Sequence, residues 1–293
     1  HESALMANEF VCLSPIIDQG NSTNANFSYV EHYRHLGRFD AYQDRIVHLD
    51  HYKNLSLLLK NEGQVMYAEA IAHPDIAVTI VTGPAGSGKT FISTIGAVEA
   101  CKSNNIFLQA TIVPCSIEVQ RAFGFLPGDL DEKISPNIAP IKNALANYVK
   151  ISNGKITKGL VALSGNEKRL DDRGLQQLIR TESDKLYEKY FKNVPVEAAR
   201  GLDFSNTFVI YDEFQDQDPE QADMLLKRIG KSCKVVISGD IRQIHQRGLS
   251  KQNNGISYAK QLCTNLPMVA QIELQPYEVV RSDFVRAIVK RQS

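Results

Sequence analysis

Ile76-Ala-Val-Thr-Ile-Val-Thr-Gly-Pro-Ala-Gly-Ser-Gly-Lys-Thr90 decides the fold. Its first half is short, apolar and β-branched, with Pro74 before it and glycines after it, so it reads as a buried strand. Its second half, Gly83 to Thr90, fits G-x-x-x-x-G-K-[ST] and stands after a strand and before a helix, where that pattern has mechanical meaning. Glycines there let backbone N–H groups converge on phosphate oxygens with no Cβ in the way. The N-terminus of the following helix adds partial positive charge. Lys89 is placed to reach the β- and γ-phosphates of a nucleotide, and the Thr90 hydroxyl to ligate Mg²⁺. Gly83, Pro84, Ala85, Gly86, Ser87 and Gly88 complete the expected phosphate cradle.

Outward from this loop, Gly88 to Lys102 reads as the helix that follows it. Further strands are expected at Asn105–Val113, Phe208–Tyr211, Lys234–Ser238 and Val269–Leu274. Helices are expected from Pro219 to about Ile229 and from Ser282 to Arg291. Apolar strands alternating with helices predict an α/β fold, a parallel sheet covered by helices on both faces. Asn153 to Asp203 is polar, with a helical Gly174 to Phe191, and reads as an insertion between the second and third strands. Gln19 to Asn26 is polar and reads as a loop or arm, and Leu55 to Lys60 as a helix or strand edge. No internal repeat is visible.

Two more strand ends carry polar chemistry. Phe208-Val-Ile-Tyr-Asp-Glu-Phe-Gln215 delivers Asp212 and Glu213 to the carboxyl edge of the sheet, where ligands bind in open α/β folds. Alone, an Asp-Glu pair after a strand is more often a solvated turn. Beside a phosphate loop, Asp212 reads as the Mg²⁺ holder and Glu213 as the group that orients and activates water. Val235-Val-Ile-Ser-Gly-Asp-Ile-Arg-Gln243 ends in Asp240 and Gln243, and a neutral amide there can sense a γ-phosphate oxygen. Asp240 is also a good helix N-cap type.

These motifs, in this order, resemble those of superfamily 1 helicase-type ATPases. The segment Gly124-Phe-Leu-Pro-Gly-Asp-Leu-Asp-Glu-Lys133, continuing through Pro136 and Pro140-Ile141, narrows the resemblance to the PhoH-like family. Asn254-Gly-Ile-Ser-Tyr258 and Val279-Val-Arg-Ser282 are similar to family segments as well, and the resemblance spans about residues 60 to 290. It implies a RecA-like P-loop core over 61–293, interrupted at about 153–203, behind an N-terminal extension over 1–60. It implies that Gln64 hydrogen-bonds the adenine edge and that Arg281 offsets charge on the γ-phosphate, in its own or a neighbour's nucleotide. It further implies an ATPase using ATP and Mg²⁺, single-stranded RNA or DNA as a partner, and a homo-oligomer, a hexamer among the options. Two departures stand out. The usual Arg-Pro at the end of the second strand is replaced by Gln109-Ala-Thr-Ile-Val-Pro-Cys-Ser-Ile117, and the insertion is longer than the family pattern.

Composition bounds the rest. Thirty-three basic residues balance 33 acidic ones among 293, which argues against binding nucleic acid or a membrane surface by bulk charge. Arg242, Arg247 and Lys251 leave room for a local basic contact. The 5 cysteines form no CxxC pair, which favours free thiols in a reducing, cytoplasmic setting. Neither a membrane-spanning run nor a signal peptide is read. His32-x-x-His35 and His48-x-x-His51, with Asp50, are conceivable metal ligands, although such histidines usually pack or face water. The leading alternative function is a nucleotide-dependent switch or binding module without helicase activity.

Overall fold

A computed structural model describes residues 7–12, 36–40, 45–52, 58–103, 106–116, 130–152, 160–163 and 166–292. Three short strands, β1 (Phe10–Cys12), β2 (Leu36–Asp40) and β3 (Arg45–His48), form an antiparallel sheet. Helix α1 (Glu62–Ala72) follows, its first turn capped by the Asn61 side chain, which accepts the Gln64 N–H. Strand β4 (Val78–Thr82) leads through the glycine loop into α2 (Lys89–Ser103), and then to β5 (Ala110–Pro114). Helix α3 (Leu130–Ser152) precedes the hairpin of β6 (Leu160–Leu163) and β7 (Asn166–Arg169). Helix α4 (Asp172–Tyr190), capped by Asp171, runs into β8 (Phe191–Asn193) and the single turn α5 (Val196–Ala199). Then come β9 (Phe208–Asp212), α6 (Pro219–Leu226), β10 (Lys234–Gly239), α7 (Gly255–Leu262), β11 (Val269–Glu273) and α8 (Asp283–Gln292).

The main sheet has 6 parallel strands in the order β11-β4-β10-β9-β5-β8. The parallel α/β architecture therefore stands as expected. Alternate side chains separate into two cores, as a period of two requires. Phe208, Ile210, Val236 and Ala270 pack with α1, α2 and α3, whereas Val209, Tyr211, Val235 and Ile237 pack with α5, α6 and α7.

The differences from expectation have local causes. The second strand starts at Ala110, not Asn105, because Ile106 and Leu108 are exposed ahead of the sheet. The insertion adds a sixth strand, since β8 pairs with β5 through Ala110 opposite Phe191. Only three residues long, β8 has no run of alternating residues to announce it. The helix expected to reach Ile229 stops at Leu226. The segments Gln19–Asn26, Gly124–Asp129 and His32–His35 lie outside the described residues.

The N-terminal sheet is sewn to the core at the end of the sheet opposite the glycine loop. The Asn8 side chain donates to Pro267 O (2.6 Å) and Val269 O (3.0 Å). The Arg38 guanidinium donates to Asn8 Oδ1 and lies 2.8 Å from His73 Nε2. Glu69, on α1, accepts the backbone N–H groups of His51 (2.7 Å) and Tyr52 (2.9 Å). Helix α1 therefore carries this joint at one end and the glycine loop's neighbour Gln64 at the other.

Helices α1 and α2 meet at Gly96, where a Cβ would lie 2.5 Å from Ile71 Cγ2. Alanine in a helix ordinarily gains about 1 kcal/mol over glycine. Here the added methyl enters a closed contact, and overpacking of roughly 1–3 kcal/mol outweighs that gain. Gly96→Ala is expected to lower the urea midpoint of unfolding; an unchanged or higher midpoint contradicts this packing.

Candidate active site

The site lies at the carboxyl edge of the sheet, where β4, β10 and β9 end side by side. Glycines answer a steric demand at two loop positions. Gly86 has φ +85°, and a Cβ there would strike Arg281 Cγ at 2.6 Å. Gly88 has φ +99°, and a Cβ would lie 2.8 Å from Gln64 Nε2. Ser87 ties the loop to itself, its N–H and its hydroxyl both donating to Pro84 O.

Lys89 is buried, and its ammonium donates to Gly83 O (2.6 Å) and Pro84 O (3.2 Å). Burial lowers its pKa, while the charges of Glu213, Asp240 and Asp212 work in the opposite direction. Three carboxylate charges thus act on one ammonium whose direct partners are neutral carbonyls.

Strand β10 lies between β4 and β9, so the Lys89–Thr90 side and the Asp212 side are two strand spacings apart, about 10 Å. Small residues at the end of β10 let the side chains meet across it. The Ser238 hydroxyl donates to Asp212 Oδ1 (2.7 Å), and the Thr90 hydroxyl donates to Asp212 Oδ2 (3.3 Å). A bulkier residue at either strand end would close this gap. At Gly239 a Cβ would fall 2.0 Å from Gln215 Oε1.

Glu213 has left-handed backbone, φ 57° and ψ 42°, a conformation uncommon outside glycine. Burial raises its pKa, and the Asp212 charge adds to the rise; a hydrogen bond from Gln215 and the charge of Lys89 pull it down. Gln215 donates to Glu213 Oε2 (2.6 Å) and to Gln243 O (3.1 Å), and its own Oε1 accepts the Asp240 N–H (3.1 Å). One buried amide therefore joins the second and third motifs. Gln215 stands in the quoted Asp-Glu-x-Gln run but was not among the expected site residues. Its role shows only once β9 and β10 are adjacent.

The other expected residues fall as follows. Asp240 is buried and caps its own turn, its carboxylate accepting the Arg242 N–H (3.0 Å). Gln243 meets the site through its backbone carbonyl, and the residue is exposed. Arg281 is exposed and lies against Gly86 of its own chain. Gln64 is buried beneath the loop, its Nε2 donating to Ser87 O (2.9 Å) and its Oε1 accepting the Lys60 N–H (2.9 Å). In this structure Gln64 is a brace for the loop.

Away from the edge, His51, Glu69 and His73 offer donor atoms within 4.8 Å of one another, the one such trio among the described residues. The arrangement is a hydrogen-bonded joint. His51 Nδ1 lies 2.9 Å from Glu69 Oε1, and Arg38 already occupies His73 Nε2. Burial, then Arg38 and His51, lower His73 to about 4, so its ring is neutral near pH 7. No helix among the described residues is long and apolar enough to cross a membrane. Cys101, Cys115, Cys233 and Cys263 are free thiols.

Sequence similarity places the chain among known proteins. The profile of the family described as PhoH-like protein matches residues 56–292. A PhoH-like protein of Bacillus subtilis is 30% identical over 239 residues, covering 81% of this chain and 64% of the relative. A PhoH-like protein of Synechocystis is 31% identical over 227 residues, covering 78% of this chain and 59% of the relative. Protein PhoH of Escherichia coli K12 is 30% identical over 227 residues, covering 77% and 55%. The chain thus spans between about half and two thirds of the length of these relatives. The solved structure of PRRSV helicase is 12% identical and covers 70% of this chain and 31% of that one, but its TM-score of 0.28 is too low to carry an argument. With its glycine loop, its Asp-Glu strand end and a match running almost from α1 to the last helix, the chain belongs to the PhoH-like protein family.

Proposed function

We propose that this chain hydrolyses ATP with Mg²⁺ and couples the reaction to binding or remodelling single-stranded RNA or DNA, as a helicase-like homo-oligomer, a hexameric ring among the forms the family resemblance implies. One observation carries the hydrolysis reading: Asp212 reaches across β10 to Thr90, 3.3 Å away, beside the buried Lys89 and Glu213. The donor set suits Mg²⁺, since a hydroxyl and a carboxylate are hard oxygen ligands close enough to share one small cation. Mg²⁺ held there would offset the charge of the β- and γ-phosphate oxygens.

The residues divide the work. Lys89 exchanges the carbonyls of Gly83 and Pro84 for phosphate oxygens, which ends the mismatch of an ammonium bonded only to neutral groups. Backbone N–H groups of residues 83–90 and the α2 N-terminus hold the remaining phosphate charge. Glu213 orients the attacking water and takes its proton as the water oxygen bonds the γ-phosphorus. The bond from that phosphorus to the bridging oxygen breaks, and its electron pair leaves on ADP. Gln215 keeps the Glu213 carboxylate aimed. Asp240 shapes the turn that brings Gln243 to the γ-phosphate side. Arg281 lies over the loop and offsets developing charge. Gln64 supports the nucleotide through its brace on Ser87; the adenine contact implied by the resemblance requires that brace to open.

The nucleic-acid reading is supported by Arg242, Arg247 and Lys251, all exposed on the loop after β10 at the same edge. The oligomer reading is supported by the exposed apolar side chains Tyr277, Val280, Phe284 and Ile288, on and just before α8.

Lys89→Ala is expected to abolish phosphate release, and wild-type turnover in that variant contradicts the assignment. Glu213→Gln should bind ATP normally but hydrolyse it about 10²–10⁴-fold more slowly. The pH profile tests the same carboxylate. A base acts only when deprotonated, and the Glu213 pKa is raised in the free protein, so kcat/KM should be full above that pKa and fall as pH drops through it. The acid limb should therefore lie above the ordinary glutamate range and move higher still in Gln215→Leu; a limb unmoved by that change contradicts the role of Gln215. Single-stranded RNA or DNA should raise ATPase activity several-fold, an effect weakening with salt. No response to either polymer would favour the nucleotide-switch reading.

A further inference from the structure

Glu278 is buried, yet nothing in the hydrolysis reading uses it. Its Oε1 accepts the Gly63 N–H (2.7 Å), in the first turn of α1, where the helix end favours a carboxylate. Its Oε2 accepts the Gln275 N–H (2.7 Å), closing the turn Pro276–Glu278. Its backbone carbonyl accepts Asn61 Nδ2 (2.8 Å). The fit at Gly63 is close: a Cβ there would lie 2.5 Å from both carboxylate oxygens. One side chain therefore joins the start of α1 to the segment that follows β11.

Both joined segments grip the glycine loop. One residue beyond Gly63, Gln64 donates to Ser87 O. Two residues beyond Glu278, the Val280 N–H donates to Gly86 O (3.0 Å). Three residues beyond it, the Arg281 stem crosses Gly86, with Cγ 2.6 Å and Nε 3.0 Å from the position a Cβ would take. Arg281 is exposed, and among the described residues no carboxylate pairs with it. Helix α8, directly after it, presents most of its residues to solvent. The placement of Arg281 thus comes from its backbone; beside the buried Val279, the buried polar anchor nearest in sequence is Glu278.

We propose that Glu278 is a positioning residue that holds the Arg281 guanidinium over the phosphate loop, acting on hydrolysis through Arg281 alone. This rests on the reading of Arg281 as the residue that offsets phosphate charge. A long, mobile cation offsets transition-state charge only while its stem is fixed, and loss of such a fixture costs on the order of 10- to 100-fold in rate.

The test is a double-mutant cycle on the full chain, reading kcat and KM for ATP together with thermal melting. Arg281→Ala should lower kcat at least about tenfold, and Glu278→Ala should lower it about tenfold with a smaller change in KM. The Arg281→Ala/Glu278→Ala double variant should match Arg281→Ala within about twofold, because groups acting as one unit are not additive. Glu278→Gln keeps a carbonyl acceptor for one N–H and should retain more kcat than Glu278→Ala. Should Glu278→Ala fail to fold, Gly63→Ala makes the same test by pushing a methyl into the carboxylate; it should lower kcat in the wild-type background and leave it unchanged beside Arg281→Ala. Multiplied losses in the double variant, or wild-type kcat in a folded Glu278→Ala protein, would overturn the proposal. Wild-type kcat in Arg281→Ala also overturns it, while loss of activity in Lys89→Ala would show that the hydrolysis reading survives.

Discussion

The carboxylate of Asp212 is the interaction on which the site depends. It stands at the end of β9, accepts from Ser238 on β10, and accepts from Thr90 at the start of α2. Thr90 lies 122 residues before Asp212 and Ser238 lies 26 after it, and the parallel sheet order brings their ends together. Had β4 and β9 been neighbours, the carboxylate would crowd the loop. With β10 between them, it reaches across two small residues. Lys89 is buried and feels the charges of Glu213, Asp240 and Asp212, with neutral carbonyls as its direct partners. A charge so placed is costly to bury unless it is well bonded. Under the proposed function, phosphate oxygens are the charged partners that Lys89 lacks among its own loop carbonyls.

Much of this was legible in the sequence, for a physical reason. Strands buried on both faces are continuous apolar runs, and the loop's glycines, Lys89 and Thr90 are adjacent in the chain. Asp212 and Glu213 could be read because they end such a run. Less legible were features that arise from packing between distant segments. Gln215 is a buried amide whose three partners belong to two strand ends. Glu278 looks like an ordinary surface acid until its carboxylate meets Gly63, 215 residues earlier. The resemblance implies an adenine contact for Gln64; its brace on Ser87 O appears only when α1 packs beside the loop. Strand β8 was missed because three residues carry no period, and only its pairing with β5 makes it a strand.

The balance of charge also takes on a narrower meaning. Equal numbers of acids and bases argue against a protein that coats nucleic acid. They leave room for a short basic loop, and Arg242, Arg247 and Lys251 are exposed on the segment that follows β10 at the carboxyl edge of the sheet. Nucleotide state and polymer contact would then share one structural unit, through the amide of Gln215 that joins Glu213 to the start of that loop. At the other end of α1, Arg38, Glu69 and His73 join the N-terminal sheet to the helix that braces the phosphate loop.

In the proposed function, Lys89, Thr90, Asp212 and Glu213 together receive a magnesium-bound nucleoside triphosphate. The most direct measurement is a crystal structure with Mg²⁺ and an ATP analogue whose β–γ bridge is an imido group. The account predicts that Lys89 Nζ leaves Gly83 O and Pro84 O for the phosphates, that the metal lies beside Thr90 Oγ1 and Asp212, and that Glu213 faces a water on the γ-phosphate. An analogue bound elsewhere, with Lys89 still holding its own loop carbonyls, would contradict it.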